Sequence, residues 1–552
     1  MTRTVSKIPF VNLHNHTTFS IFDAIGYPAD HMDFAYENGC DALAITDHGN
    51  MSALSYQVEH HKKMKAEGKD FKPVYGIEAY FIPSLSEWKA EYEQQQQQKK
   101  KKKKKDMSLS IEDEEESKKS KDLLRKRSHL ILLAQNQTGL NNLFQLVSKS
   151  YKTENFYRYP RMDYDMLAEH SEGLICASAC LGGVFAQDYW ENREAGPDHV
   201  REAMRSTASR MREIFGQRFF GELQWNSVPE QHELNNYIIE VCAEFNIELI
   251  STADAHYYHP DLWKERELYR ALGWMGKKDL ASLPESREAL KYELYPKNGD
   301  QMWESFKKYS TECDVEYDED LVRASIERTH HIAHNMVEDF VPDNTIRLPK
   351  FVVEENASEM ASLTKKCVDG LKDKALHESQ EYIDRLKEEL NVIKDRGFAR
   401  YFLTMKAISD RAAASMAVGP GRGSAAGSLA AYVLDITQVD PIKHCLLFSR
   451  FLRKDATDYP DIDYDVSRPM ELKEKLAGEW GLSSVVPISN YNTLKLRSLI
   501  KDIAKFYGVP FTEVNNVTSK MLHEATPRAK KDHGIKAGVY VPTFEEVMKY
   551  SE

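Results

Sequence analysis

Residues 10–16 read FVNLHNH and residues 42–48 read ALAITDH, and these two stretches decide the fold. In each, a short apolar run ends in side chains able to hold a metal ion. Phe10–Leu13 and Ala42–Ile45 have the texture of strands, and Ala29–Asn38 between them has helical spacing. Further out, Val74–Ile82, His129–Ala134, Gly173–Ser178 and Leu249–Ala253 repeat the strand texture. Strands alternating with helices predict βα units and a parallel sheet or barrel.

The rhythm breaks at Ser84–Lys126, where Gln94–Gln98 runs into Lys99–Lys105 and then the mixed-charge Glu112–Lys121. Such a tract buries too little apolar surface to offset its ordering entropy, so 84–126 is expected to be a disordered, low-complexity insertion. Beyond about residue 270 the chain turns helical and charged, with Glu381–Lys394 and Thr493–Tyr507 as the clearest helices. A glycine-rich turn at Gly419–Gly427 precedes the apolar stretch Ser428–Val433.

The bulk numbers are those of an ordinary globular protein. The 552 residues imply roughly three to five domains of about 150 residues each. The chain has 74 Lys and Arg against 86 Asp and Glu, net -12, which disfavours a general nucleic-acid coat but leaves room for a local grip. No apolar run approaches the ~20 residues of a membrane span, and no signal-peptide pattern opens the chain, so a cytoplasmic location is expected. The seven cysteines are scattered. Cys176 and Cys180 form the only close pair, so neither a zinc ribbon nor a disulfide framework is expected.

His14 and His16 lie two apart, and alternate side chains of a strand share a face. Alone, the pair is weak evidence of a metal site. The other strands strengthen it: His48 follows Ala42–Ile45, Glu78 lies within Val74–Ile82, His129 opens HLILLA, and Asp254-Ala255-His256 follows Leu249–Ala253. In a βα barrel these strand ends meet at one mouth, where several imidazoles and carboxylates suit two or three divalent ions.

LHNHTTFSIFD, AITDH, GIEAY, RSHLILLAQN and STADAH, in this order, resemble the polymerase-and-histidinol-phosphatase (PHP) domain of C-family DNA polymerases. The resemblance implies a distorted (β/α)7 barrel with a trinuclear site. It places the ligands at His14, His16, Asp23, His48, Glu78, His129, Cys180, Asp254 and His256. It further implies 3′→5′ exonuclease proofreading, and the mixed imidazole, carboxylate and thiol ligation suits Zn²⁺, Mn²⁺ or Fe²⁺ better than Mg²⁺. For Cys180, in the short match ACLGG, a buried structural thiol is the competing reading.

A second group of motifs lies at VGPGRGSAAGS, residues 418–428, and YPDIDYDV, residues 459–466. The glycines let backbone N–H groups converge on an anion, and the helix behind adds its dipole. In a strand, Asp461, Asp463 and Asp465 would share a face and repel one another unless cations neutralise them. The bland alternative is an acidic, solvent-facing edge strand. VGPGRGSAAGSLAAYVLDIT, LLFSRFL and PDIDYD resemble the palm of the C-family alpha subunit, and YNTLKLRSLIKDIAKFYGVP the start of its thumb. That resemblance makes Asp461 and Asp463 catalytic with Mg²⁺ and assigns the triphosphate of the incoming nucleotide to Arg422, Gly423 and Ser424. Asp465 receives no role.

The expected architecture is α/β: a PHP barrel over 8–270, the first part of an α+β, nucleotidyltransferase-like palm over 271–468, and a helical thumb segment over 469–552. The expected function is template-directed DNA synthesis on primer–template DNA with deoxynucleoside triphosphates, joined to PHP proofreading. The third palm carboxylate and the fingers find no match in the sequence. A second polymerase chain, or a longer form of this one, is expected to supply them, with any sliding-clamp contact made through that part. Two other readings remain: a stand-alone PHP nuclease using the palm remnant as a DNA platform, and a non-catalytic assembly module. The full ligand set argues against the second of these, and the triphosphate loop against the first as the whole account.

Overall fold

A computed structural model describes residues 3–103, 126–273, 283–349, 358–486, 488, 490–491, 493, 495–535 and 540–551. It divides into two compact units: residues 1–343 with 494–552, and residues 344–493.

The first unit is built on eight strands: β1 (Ala42–Ile45), β2 (Lys72–Phe81), β3 (Ser128–Ala134), β4 (Phe156–Tyr157), β5 (Tyr159–Met162), β6 (Leu174–Ala177), β7 (Phe219–Gln224) and β8 (Glu248–Thr252). β1 runs parallel to β2, β6 to β7, and β7 to β8, whereas β3 is antiparallel to both β2 and β6. β5 joins β2 beyond the end of β1, with β4 folded back against it.

The expected first strand, Phe10–Leu13, forms no ladder; the chain bends at His14 and makes isolated bridges instead. Asn12 bridges Leu43 on β1, and Asn15 bridges Ala255 just past β8. Ala44 N–H donates to Asn12 O at 2.9 Å and His16 N–H to Ala255 O at 2.7 Å. The segment thereby closes the ring as its seventh stave, beside β1, β2, β3, β6, β7 and β8. The distortion in the barrel lies in this bridged stave and the reversed β3.

Inside the ring, Val11, Leu13, Ala44, Val74, Ile131, Leu133, Ile175, Phe220 and Ile250 form one buried cluster. Ile332 and Ala333, from the π-helical turn Ile332–Met336 after the helix Glu319–His331, and Val337 directly after it pack into the same cluster. Outward-facing residues such as Ile77, Leu132 and Phe219 meet the surrounding helices in a larger core. Met302, Phe306, Tyr309, Val322 and Ile326 belong to that larger core, so the unit runs on past residue 270 to Asp343.

The expected disorder of 84–126 is corrected over its first part. Leu85–Lys103 is a helix, and its beginning is anchored because Leu85 and Trp88 are buried in the barrel's outer core. Arg161 is fully buried, stacks 4.7 Å from the Trp88 ring centroid, and donates through Nε to Lys126 O at 3.0 Å. It thereby touches residues on both flanks of the tract. Apolar spacing was too short here to signal the contact. Residues 104–125, including Glu112–Lys121, lie outside the described residues.

The second unit is helical: Glu359–Asp373, Gln380–Arg396, Ala399–Ala413, Leu429–Val433 and Pro469–Trp480. Leu363, Cys367, Leu386, Ile393, Phe402, Leu429 and Val433 are among its core residues. The β part of the expected α+β palm shrinks, among the described residues, to one antiparallel bridge between Val418 and Val466. Pro420 and Pro460 lack amide donors and the intervening glycines offer no side chains to pack, so the ladder does not propagate. Pro469–Trp480 packs on Ala399–Ala413 through Ala412, Met416, Leu472 and Leu476, whereas residues 494–552 group with the first unit. The sequence-based segment 469–552 is therefore divided. The helices Leu496–Phe506, Phe511–Asp532 and Phe544–Tyr550 complete the chain's described elements.

Candidate functional site

Strand alternation carries polar residues inward at one rim of the barrel. Glu78 shares parity with inward Val74 on β2 and Glu222 with Phe220 on β7, while Asp254 lies just past the end of β8. His129 shares parity with Ile131, and because β3 runs backward its first residues reach the rim where its neighbours end. Asp254 itself sits at φ +48°, and Phe22 and Ala179, just before Asp23 and Cys180, sit at φ +62° and +61°. Left-handed backbone at such residues costs about 1–3 kcal/mol each and concentrates at functional sites.

All nine predicted ligand residues meet at this rim. His14 Nε2 lies 3.1 Å from His16 Nε2, 3.1 Å from Asp254 Oδ1 and 3.4 Å from Glu78 Oε1. His16 Nε2 is 3.3 Å from Glu78 Oε2. Glu78 also faces His48 Nδ1 at 2.5 Å and His129 Nδ1 at 2.9 Å. Asp23 Oδ2 approaches His48 Nε2 at 3.2 Å and His256 Nε2 at 3.6 Å. Cys180 Sγ is 3.9 Å from both Glu78 Oε1 and His129 Nδ1. A cleft of about 540 Å³ opens over the group, lined also by Tyr80, Arg127, Tyr159 and Arg270.

Three partners that the motifs did not single out fix two of the rings and one carboxylate. Glu222 Oε1 takes His14 Nδ1 at 2.7 Å, which leaves Nε2 to face the cleft. Ser20 Oγ donates to Asp47 Oδ1 at 2.6 Å and so accepts from His16 Nδ1 at 3.0 Å. Arg266, nearly fully buried, holds Asp23 through Nη2 to Oδ1 at 2.7 Å, leaving Oδ2 for the histidines. Glu222 was legible only as a lone carboxylate in the apolar run FFGELQ.

The electrostatics test whether divalent cations fit. Burial lowers the His14 pKa, but Asp254, Glu222 and Glu78 outweigh it and hold the ring well above the ordinary value. His48 is raised likewise, chiefly by Glu78 against the cost of burial. Burial raises Glu78, yet His129, His48 and His14 bring it well below the carboxylate range. Burial, then Asp254 and Glu78, push the Cys180 thiol up. Buried carboxylates therefore require positive charge, and protons on histidines supply it when no cation does. His48 Nδ1, Glu78 Oε2 and Asp254 Oδ1 are all buried and are met by ring nitrogens and carboxylates across the rim: His48 Nδ1 by Glu78 Oε2, and Asp254 Oδ1 by His14 Nε2. This donor set fits divalent metal ions.

In the second unit the predicted residues come together only in part. Arg422 Nη2 is 3.2 Å from Asp463 Oδ1, and its Nε is 3.5 Å from Asp465 Oδ2. Gly423, at φ +66°, lies so close that a Cβ there would be 2.7 Å from Asp463 Oδ2. Gly419 N–H donates to Asp465 O at 2.8 Å. Asp461 and Ser424 are exposed and stand outside this cluster. The expected anion-binding helix end is corrected: the fully buried Glu389 already occupies it. Its oxygens accept from Leu429 N–H and Ala430 N–H at 2.9 Å each, Ser428 Oγ at 2.9 Å and Arg385 Nε at 2.7 Å. Burial raises the Glu389 carboxyl above its ordinary value against the pull of these amides and of Arg385.

Comparison with known proteins finds two family matches along the chain. Residues 12–226 match the PHP domain, and residues 361–549 match the bacterial DNA polymerase III alpha NTPase domain. The DNA polymerase III alpha subunit of Aquifex aeolicus is 33% identical over 518 residues, covering 92% of this chain and 40% of that protein. The chain is related to DNA polymerase III alpha subunits over nearly its whole length. The alpha subunit of Campylobacter jejuni is 31% identical over 93% of the chain and 41% of its own length. That of Mycobacterium tuberculosis is 30% identical over 98% of the chain and 42% of its own length. The chain thus spans about 40% of the length of the curated relatives it matches. Among solved structures, a putative metal-dependent phosphoesterase from Bifidobacterium adolescentis aligns at 13% identity and TM-score 0.25, over 45% of this chain and 87% of its own. The PHP match covers the barrel through β7 and the NTPase-domain match covers the glycine loop and Asp461–Asp465. No described helix is long and apolar enough to cross a membrane.

Proposed function

We propose that the PHP rim is a metal-dependent 3′→5′ exonuclease within a DNA-synthesising alpha subunit, working in the cytoplasm. The convergence of nine ligand-type side chains around the buried Glu78 and Asp254 carboxylates carries this reading. His14, His16, Asp23, His48, Glu78, His129, Cys180, Asp254 and His256 would hold the ions, and the mixed nitrogen, oxygen and thiol donors favour Zn²⁺, Mn²⁺ or Fe²⁺. Bound there, such ions supply an activated water and charge stabilisation for the attacking and leaving oxygens of a phosphodiester.

The chain's own residues prepare the cleft for that chemistry. Glu222 and Ser20 orient His14 and His16, and Arg266 fixes Asp23. Arg127, stacked 4.0 Å from the Tyr159 ring centroid, and Arg270 bring positive charge to the cleft wall where a phosphate backbone would lie. Tyr80 and Tyr159 beside them offer aromatic surface to an unpaired terminal base.

For synthesis, Asp461 and Asp463 would hold Mg²⁺, and Arg422, Gly423 and Ser424 would meet the triphosphate. Primer–template DNA and deoxynucleoside triphosphates are the substrates on this reading. Because the chain spans only about 40% of its relatives' length, fingers, a third carboxylate and any clamp contact belong to further polymerase sequence, on this polypeptide or a second one.

The experiment is digestion of a primer–template with a mismatched 3′ end by the purified chain with Mn²⁺ or Zn²⁺, beside His14→Ala. Shortening from the 3′ end that the variant lacks is the expected result. Failure to digest with either metal, or equal digestion by His14→Ala, would reject the rim as the hydrolytic site.

A further inference from the structure

A second group of metal-type donors sits at the opposite end of the barrel. Asp41 immediately precedes β1, whereas His48 of the rim follows it, so the length of β1, about 13 Å at ~3.3 Å per residue, separates the two ends. His330, in the last turn of the helix Glu319–His331, and His334, in the π-helical turn that follows, stand four residues apart and therefore on one face. Both present Nε2 to the same carboxylate. His330 Nε2 is 3.2 Å from Asp41 Oδ2 and His334 Nε2 is 3.0 Å from Asp41 Oδ1. The two rings lie 4.3 Å apart, tilted by 38°. One donor atom from each residue lies within 4.8 Å of the other two.

We propose that Asp41, His330 and His334 form a second, independent divalent-metal site of the Zn²⁺ class, which clips the π-helical turn to the entrance of β1. Two imidazole nitrogens and one carboxylate oxygen are borderline ligands, which favour Zn²⁺ over Mg²⁺ or Ca²⁺. All three side chains are about one-third exposed, so solvent completes the coordination. The surrounding charge is favourable. Lys72 is engaged with Asp339 Oδ1 at 2.9 Å and with Val337 O, so the adjacent cation is already matched. Burial raises the Asp41 carboxyl, but hydrogen bonds from His330 and His334 outweigh it and bring it down to about 2, so the ligand is anionic across the neutral range.

The site also has a structural use. Ile332 and Ala333 of the same turn, with Val337 directly after it, plug the barrel interior from below. A metal joining Asp41 to residues 289 and 293 positions away would close a long loop of chain and hold that plug in place.

The test uses the full chain, stripped with EDTA, reloaded with Zn²⁺ and dialysed. Metal content is counted by mass spectrometry, and protection of His330 against diethyl pyrocarbonate is mapped with and without Zn²⁺. The expected result is that His334→Ala binds one Zn²⁺ equivalent fewer than the parent, loses the Zn²⁺-dependent protection of His330, and keeps the rim's metal and hydrolysis. Asp41→Asn, which preserves shape, is expected to behave the same way and guards against a folding defect in the alanine variant. His14→Ala, which disables the rim, is expected to leave the protection of His330 intact. Equal Zn²⁺ content in parent, His334→Ala and Asp41→Asn would overturn the proposal. Protection of His330 that does not depend on Zn²⁺ would do so too, because the cluster would then be a metal-free hydrogen-bonded clip.

Discussion

Replacing Glu389 by alanine removes the acceptor for the first amides of the helix Leu429–Val433, directly behind the glycine-rich turn. In the parent, Leu429 N–H, Ala430 N–H and Ser428 Oγ each donate to this carboxylate at 2.9 Å, and Arg385 Nε donates at 2.7 Å. Ser428 keeps a use in the variant, since its Oγ still accepts from Ala431 N–H at 3.2 Å. Arg385 likewise keeps Gly427 O and Leu446 O through Nη2. The unrecovered loss is the two buried amides, at about 1.5–3 kcal/mol each for a hydrogen bond to a charged partner. Water entering the space left by the side chain returns part of this, leaving about 3–4 kcal/mol of local destabilisation. Amide exchange is the direct assay, because local opening sets the rate. At 1.4 kcal/mol per tenfold, the Leu429 and Ala430 amides are expected to exchange about 100- to 1000-fold faster. Peptides from β3 should not change. Glu389→Gln keeps one acceptor oxygen and should fall between parent and alanine. If exchange in Glu389→Ala stayed within about threefold of the parent, the carboxylate would not be holding the helix end, and the account of the loop would be wrong.

Glu222→Gln removes the charged partner of His14 Nδ1 and should weaken rim metal binding and 3′-end digestion by about 10- to 100-fold, as read by metal titration and gel assay. Asp461→Asn or Asp463→Asn should abolish DNA synthesis in the assembled polymerase while sparing rim hydrolysis; surviving synthesis would refute the palm assignment. Burial lifts Asp188 to about 6, with Glu191 adding and the Thr207 hydrogen bond and Lys126 opposing. The folded state therefore holds a proton there that the unfolded chain releases near pH 4, and its contribution is complete below about pH 4 and lost as pH rises through about 6. Asp188→Asn should accordingly gain about 1–2 kcal/mol at pH 7.5 and flatten the stability profile between about pH 4 and 6; equal slopes in chemical unfolding would contradict this. Trp88→Ala should cost about 3–5 kcal/mol in unfolding experiments, whereas deleting residues 104–121 should leave stability and both activities close to the parent.

The barrel was legible because its ligands obey a local rule. Glu78 and His129 each belong to a strand whose inward parity could be read from flanking apolar residues, and Asp254 follows just past the end of another. Their convergence needed only that the strands form one ring. The stave carrying His14 and His16 was misread as a ladder strand, since the bend at His14 depends on closure against β1 and Ala255 rather than on local sequence. Glu222 and Arg266 stayed hidden for a related reason: each orients a ligand 208 or 243 residues away, with no motif around it. Trp88 shows the opposite error. A single buried ring at the start of a polar tract can anchor a helix that composition assigns to disorder.

The two candidate sites also differ in what holds their charge. At the rim, neighbouring carboxylates hold His14 and His48 well above the ordinary imidazole value against the cost of burial, so divalent ions and protons would compete for the same carboxylates. In the second unit, the charge on Asp463 and Asp465 is met by the Arg422 guanidinium, and Asp461 stands apart from it. A guanidinium cannot surrender its charge, so a cation reaching Asp463 must displace Arg422 or share the carboxylate with it. A triphosphate offers Arg422 an alternative bidentate partner. Nucleotide and Mg²⁺ should therefore bind cooperatively in the second unit: each removes the obstacle to the other. At the rim, metal binding should precede substrate and show no such dependence. The close approach of Asp463 to the loop depends on Gly423 carrying no side chain, since a Cβ there would lie 2.7 Å from Asp463 Oδ2. On this argument the order of assembly follows from the residue type that neutralises each carboxylate: exchangeable protons where the site is prebuilt, and a fixed guanidinium where the substrate must complete it.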